Sequence, residues 1–247
     1  MIPKTIHYAW FGSEVPDTLK KRITEWEKVL PDWKFKLWNE NNYDIHKFKF
    51  SGEKYDKKQF GYIVDELRYD VLYQEGGFYL DTDEILEKDL TPLTKYKMVW
   101  GFMYDNCVSG GLIGSEAHEP FLKYLLDTYS GKINRDIYQD LNKVTSNPII
   151  TRTFLTKWPQ MKLNGEKQVL SDGIVIFPKD YFCYPSRNKS ANFAYHLFNN
   201  SWGNKNQGMR KIIKQTFKKM APYLFSEISA RRGYIKSFKD GVPRSHQ

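Results

Sequence analysis

The 247-residue chain is 40% hydrophobic and 16% aromatic, enough to bury a sizeable core, most simply one α/β domain with an appendage. Its net charge of +9 is uneven: residues 1–204 hold 27 basic and 27 acidic side chains, whereas Lys205 to Lys239 holds ten basic ones against Glu227 alone. A neutral body argues against a nucleic-acid groove, and two plain cysteines, Cys107 and Cys183, argue against a disulfide framework or a metal knuckle.

No apolar run reaches membrane-spanning length and no basic-then-apolar leader opens the chain, which sets the expectation of a cytoplasmic protein. Lys4 to Phe11 reads as a first strand ending at Gly12, with Ile6, Tyr8 and Trp10 in its apolar pattern. Nucleotides dock at the end of such a strand in an open α/β sheet, so Trp10 fits a base-stacking platform as well as it fits a core tryptophan. His7 reads as a core or sheet-edge residue. Asp17 is placed to cap a helix through Leu30, which Pro31 stops, and Phe35 to Trp38 reads as a second strand. Asp44 to Lys58 is basic and aromatic without a clear period, an irregular lobe or a solvated connector.

Phe60 to Leu86 is the organising stretch. Phe60, Val64, Leu67, Val71 and Leu72 recur at helical spacing, Gly76 supplies a left-handed cap, and Phe78 to Ile85 reads as a strand. Asp65 and Arg68 share a helix face, while Asp81 and Asp83 point the same way from a strand that otherwise looks buried. Burying two like charges is costly without compensation, and a hard divalent ion, Mn²⁺ or Mg²⁺, suits a one- or two-carboxylate site that also takes substrate phosphates.

Beyond it, Met98 to Met103 reads as a buried strand. Ser109-Gly110-Gly111 suits either close approach of backbone to a ligand or a hairpin turn. Glu119-Pro120 opens a helix, Asn147-Pro148 starts another, and Ile174 to Phe177 is a short buried strand. In the tail, Met209 to Met220 has helical spacing amid basic residues, and Pro222 begins a second short helix ending at Gly233. A basic amphipathic segment of this kind suits an anionic lipid surface, with a stripe packed on the body as the alternative.

DELRYDVLYQEGGFYLDTDEI resembles the nucleotide-sugar site of glycosyltransferase family 32, which includes yeast-type mannosyltransferases, bacterial capsule and O-antigen transferases, and distantly the large clostridial toxin glucosyltransferase domains. IPKTIHYAWFG and HLFNNSW are also similar to that family, so the likeness spans most of Ile2 to Trp202.

The resemblance implies a GT-A-like single nucleotide-binding domain, 1–204, with a central mostly parallel sheet flanked by helices, followed by a basic helical tail, 205–247. It implies a metal-dependent, retaining transfer of a hexose from a nucleotide diphosphate sugar to a glycan hydroxyl. UDP-galactose or UDP-glucose is favoured, with GDP-mannose or non-catalytic sugar binding as alternatives. The expected acceptor is a lipid-linked intermediate of capsule or lipopolysaccharide assembly, met at the inner face of the plasma membrane through residues 205–239, with no nucleic-acid partner.

Within that reading Asp83 binds the metal, Asp81 holds the ribose or a metal-bound water, and Asp65 and Arg68 grip the sugar hydroxyls. From the resemblance, Gly110 and Gly111 lie near the donor sugar, Trp10 stacks on the base, His196 and Ser201 serve the metal, and Trp202 faces the diphosphate. The helix start at Asn147 would face the sugar, although the family pattern has glycine there. Asp105 is the one carboxylate nominated as a base should the reaction invert.

Overall fold

The computed structural model describes residues 1–198, 216–217 and 220–244; Ser201, Trp202, the proposed boundary at 204 and nearly all of the expected 209–220 helix lie outside the described residues. In chain order the elements are β1 (Thr5–Ala9), α1 (Asp17–Val29), β2 (Lys34–Trp38), α2 (Lys49–Asp56), α3 (Val64–Glu75), β3 (Gly77–Leu80) and β4 (Glu84–Leu86). Then come β5 (Met98–Tyr104), β6 (Cys107–Ser115), α4 (Pro120–Tyr129), α5 (Arg135–Tyr138), α6 (Ser146–Lys157), β7 (Gln168–Val169), β8 (Ile174–Phe177), α7 (Lys179–Phe182), β9 (Ala194–His196) and α8 (Pro222–Lys239).

Seven strands form one sheet in the order β2-β1-β3-β6-β5-β8-β7, and β4 pairs with β9 in a separate two-stranded ladder. Only β6 and β7 run against the other five, so the sheet is mostly parallel in direction, as expected. Strand alternation divides the core into two layers. Phe78, Leu80 and Val99 pack with Trp26 of α1 and Leu30, the residue that caps it, on one face. Tyr79, Met98 and Trp100 pack with Leu67 of α3, Leu122 of α4 and Phe154 of α6 on the other.

α3 ends at Gly76, whose φ of +65° is the left-handed cap the sequence called for, and Gly77 follows at φ +109°. A side chain on Gly77 would press within 2.6 Å of the Thr5 carbonyl, so the two glycines let β3 lie against β1. His7 is fully buried beside this turn: Trp38 Nε1 donates to its Nδ1 at 3.1 Å, which leaves Nε2 to donate to the Gly76 carbonyl at 2.8 Å. It is the core residue that the sequence suggested.

Four local expectations need correction. The helix after Gly12 starts with Asp17 already inside it; Pro16 holds the cap position, and no side chain caps the end. Asp44 to Lys58 is not irregular, because Phe50 drives α2 into the core against Tyr129, 5.5 Å ring to ring. Gly110 and Gly111 lie within β6, not in a loop or a hairpin turn. Finally, α8 runs through Gly233 to Lys239, since that glycine sits where any side chain would overlap the Tyr104 ring, and Asn106 Nδ2 donates to Ser237 Oγ at 2.8 Å. Small residues of α8, Ser226, Ala230 and Ser237, are the buried ones, and Leu224, Ile228 and Ile235 face outward.

Candidate active site

The strand expected over Phe78 to Ile85 breaks into β3 and β4, and the two acids occupy the turn between them. Asp81 still continues the ladder, its amide donating to the Gly111 carbonyl at 2.8 Å, and the Glu84 amide then closes the turn on the Asp81 carbonyl at 3.0 Å. Asp81 and Asp83 are thus lifted to the end of β3, their side chains 26% and 17% exposed. Their burial is partial, which lowers the cost of holding two carboxylates together.

A cleft of about 400 Å³ opens above this turn, lined among others by Ala9, Tyr62, Asp65, Arg68, Asp81 and Asp83, with Thr145, Ser146 and His196 across from them. Arg68 is its buried anchor. Nε donates to the Val64 carbonyl at 2.9 Å and Nη1 to the Gly110 carbonyl at 2.5 Å, while Nη2 faces Asp65 Oδ1 at 3.2 Å and Asp81 Oδ1 at 3.6 Å. Burial works against its charge, but Asp81 and Asp65 outweigh that and keep the guanidinium protonated. The fork is held by four oxygens, a job lysine's single ammonium does not fill.

Asp65 is 5% exposed, and burial pushes its carboxyl up to about 6; Arg68 opposes the shift, Asp81 adds to it, and a hydrogen bond with Ser146 resists it. At the cleft's other end His196 Nε2 donates to Asp83 Oδ1 at 2.9 Å and lies 3.8 Å from Asp81 Oδ2. Burial opposes charge on this ring, while Glu84, Asp81 and Asp83 together raise its proton affinity well above the ordinary histidine range. In the neutral ring the Phe198 amide donates to Nδ1 at 2.8 Å, and the proton then sits on Nε2, facing Asp83.

Asp81 and Asp83 both line the cleft, and a divalent ion completed by substrate oxygens needs no more than one or two carboxylates. Among the described residues no group of three or more His, Cys, Asp or Glu is spaced as a metal cage. The donor set therefore fits an ion that shares its shell with a bound diphosphate.

The remaining sequence candidates distribute as follows. Gly110 and Gly111 reach the site from below: a side chain on Gly110 would overlap Arg68 Nη1, and one on Gly111 would come within 2.7 Å of Glu84 Oε1. Trp10 stands at the end of β1, its Nε1 donating to Ser13 Oγ at 3.2 Å, and is not among the residues lining the cleft. Asn147 and Thr151 serve β6, accepting from the Gly110 and Val108 amides at 3.0 and 2.9 Å, so the cleft meets Thr145 and Ser146 instead. Asp105 is paired with Lys179 at the β5–β6 turn, outside the cleft lining, which removes it as a base.

Sequence reasoning missed four residues. Tyr79 stands two before Asp81 and Tyr62 three before Asp65, so strand and helix periods respectively put each on the face of a residue already chosen. Ser146 carries no such signal. Glu84, the third acid of LDTDE, is fully buried with neither carboxyl oxygen hydrogen-bonded, and burial raises it well above the ordinary carboxylate range while His196 opposes the shift.

Residues 16–100 match the family described as a glycosyltransferase sugar-binding region containing a DXD motif, a span that includes Asp65, Arg68, Asp81 and Asp83. The chain is 26% identical over 216 residues to inositol phosphoceramide mannosyltransferase 2 of Schizosaccharomyces pombe, covering 85% of this chain and 60% of that protein. It is 28% identical over 125 residues to a mannosyl phosphorylinositol ceramide synthase of Saccharomyces cerevisiae, covering 49% and 33% respectively. The chain thus spans less than two thirds of the length of these relatives. Among solved structures, the PaToxG glycosyltransferase superposes with a TM-score of 0.51 at 18% identity over 64% of this chain and 70% of that one, a likeness of fold. The resemblance carried by DELR and LDTDE is borne out as a likeness: residues 16–100 match the sugar-binding region of DXD-containing glycosyltransferases, and the fold is GT-A-like.

Proposed function

We propose that the protein transfers a hexose from a nucleoside diphosphate sugar to a hydroxyl of a glycan or lipid-linked glycan acceptor. The observation that carries this is the continuous line of Asp65, Arg68, Asp81, Asp83 and His196 along one cleft at the end of β3. In this reading Asp65 and Arg68 hold the sugar hydroxyls, with Arg68 fixed by backbone carbonyls so that no reorganisation is needed when the sugar becomes cationic. Asp81 ties the arginine to the turn, and Asp83, oriented by His196, is the carboxylate that takes a divalent cation.

When bound there, Mn²⁺ or Mg²⁺ supplies positive charge to the departing diphosphate. Among the described residues lining the cleft the carboxylates are Asp65, which Arg68 holds, and the turn pair Asp81 and Asp83, which supports a front-face displacement with retention, in which the leaving phosphate takes the acceptor proton, over a separate nucleophile.

For the sugar, the mannosyltransferase names of the yeast relatives favour mannose, carried on GDP as the sequence resemblance implies for yeast-type members. UDP-galactose and UDP-glucose are the second reading, as the sequence resemblance implies for bacterial and toxin members. On α8, Leu224, Ile228 and Ile235 lie exposed beside Arg231, Arg232 and Lys239, a pattern that suits an anionic membrane surface carrying the acceptor. No helix among the described residues is long and apolar enough to cross a membrane.

The test is Mn²⁺-dependent hydrolysis across a panel of GDP- and UDP-hexoses. Wild type is expected to release sugar from one of them, and Asp83→Ala to lose at least about 100-fold of that rate. Full activity in Asp83→Ala would sink the assignment.

A further inference from the structure

A second cavity, of about 640 Å³, opens among α2, α3, α4 and α5 and is larger than the cleft. Glu66, Asp70, Tyr73 and Gln74 line it from one face of α3, whereas Asp65 and Arg68 line the cleft from the opposite face of the same helix. Its size is that of a small-ligand site, and none of the residues given a part in sugar transfer lines it.

The charges of the lining select a class of ligand. Every lysine on it is paired with an acid on it: Lys47 Nζ donates to both oxygens of Asp70 at 2.8 and 2.7 Å, Lys49 lies 3.9 Å from Glu53, and Lys123 and Lys132 share Asp127. The remaining acid, Glu66, accepts from the Ser51 amide and hydroxyl at 2.8 and 2.7 Å. Burial raises Glu66 to about 7, so at neutral pH these four lysines and four acids sum to within one charge of zero. A phosphate or a polyamine finds little to neutralise there.

What the lining offers instead is amide groups and a ring. The side chains of Gln74, Gln139 and Asn142 make no hydrogen bond among the described residues, and each carries both donors and an acceptor. Tyr138 is seated on Gly131. A side chain on that glycine would meet Cδ1, Cε1 and Cγ of the tyrosine at 3.1, 3.1 and 3.2 Å, near-equal distances that only a point above the ring face can have. With one face laid on backbone, the residue still keeps 36% of its surface exposed and lines the cavity. It is a fixed apolar surface with a polar tip.

We propose that this cavity is a second saccharide site, which holds a neutral stretch of the acceptor glycan away from its reacting end. A neutral ligand suits the balanced charges, hydroxyls suit the three amides, and the C–H face of a pyranose suits the seated ring. Only the source of the saccharide rests on the reading of the cleft as a glycosyl-transfer site.

The test is calorimetric titration of the full chain, its cleft filled by Mn²⁺ and excess GDP or UDP, with neutral oligosaccharides of glucose, galactose, mannose and N-acetylglucosamine. At least one is expected to bind wild type and Asp83→Ala alike. Tyr138→Ala should weaken it about fivefold or more with donor hydrolysis unchanged, and Tyr138→Phe, which keeps the ring, should stay within about twofold of wild type. The proposal is overturned if no oligosaccharide binds at millimolar concentration, if binding is lost in Asp83→Ala, or if Tyr138→Ala binds as wild type does. Displacement of the sugar by inorganic phosphate also overturns it. Wild type that hydrolyses a sugar nucleotide yet binds no oligosaccharide removes this site alone; a chain that binds oligosaccharide through Tyr138 but hydrolyses no donor keeps the site and removes the transfer reading.

Discussion

Asp65 should destabilise the fold it serves. Its carboxyl rises from 3.8 to about 6 because burial outweighs the help of Arg68, so at neutral pH the folded protein holds a carboxylate that would prefer to be neutral. A shift of about two units corresponds to about 3 kcal/mol, which is the ceiling on what a neutral replacement recovers. Asp65→Asn keeps the shape and the Ser146 partner, and Arg68 retains Asp81 and the Val64 and Gly110 carbonyls. We expect the variant to be roughly 1 to 3 kcal/mol more stable at pH 7, with Tm higher by roughly 3 to 10 °C, while sugar transfer is lost.

The pH dependence identifies the cause. Because the folded pKa lies above the unfolded one, wild type takes up a proton on folding between about pH 4 and 6, and its stability falls as pH rises through that window. Asparagine takes up none. Urea unfolding of both proteins at pH 4, 5, 6 and 7 should therefore show a difference near zero at pH 4, growing to its plateau just above pH 6. Glu66, which burial raises to about 7, titrates in both proteins; the part of its shift that the Asp65 charge adds disappears in the variant and enlarges the difference in the same direction as pH rises toward 7. A difference that does not change with pH, or an asparagine variant less stable than wild type at pH 7, would refute the reasoning.

Arg68→Lys leaves at least two of four oxygens unserved in a buried site, so it is expected to cost about 2 to 4 kcal/mol in urea unfolding and at least about 100-fold in sugar transfer; near-normal turnover would show that the fork is dispensable. Gly233→Ala would drive a methyl into the Tyr104 ring and loosen α8 from β5, which limited proteolysis of the C-terminal segment reports as faster cleavage; an unchanged digestion pattern means that the helix docks some other way.

Much of the site was legible because it is local. Asp65 and Arg68 meet at 3.2 Å through helix geometry alone, and Gly76 and Gly77 announce where α3 must hand over to β3. The acids were harder. Asp81 keeps strand pairing with Gly111, so the alternation of FYLDTDEI runs on unbroken in sequence even though the chain has begun to turn. What ends the strand is the bond from the Glu84 amide back to the Asp81 carbonyl; the two aspartates favour turns, but without glycine or proline beside them that signal is outweighed by the apolar alternation on either side.

The glycines of β6 mislead for the opposite reason. Gly110 and Gly111 are residues that usually mark a loop, yet both sit in mid-strand because two long side chains from elsewhere, Arg68 and Glu84, need the space where their own would be. That demand comes from residues 42 and 27 positions away in sequence, which no local pattern carries. The same holds for Lys54, whose place between Phe50 and Tyr62 depends on α2 folding over the turn before α3. Spacing thus reveals which side chains share a face, and only the assembled sheet reveals which glycine makes room for them; the seating of Arg68 in the cleft is as much a consequence of Gly110 as of its own helix.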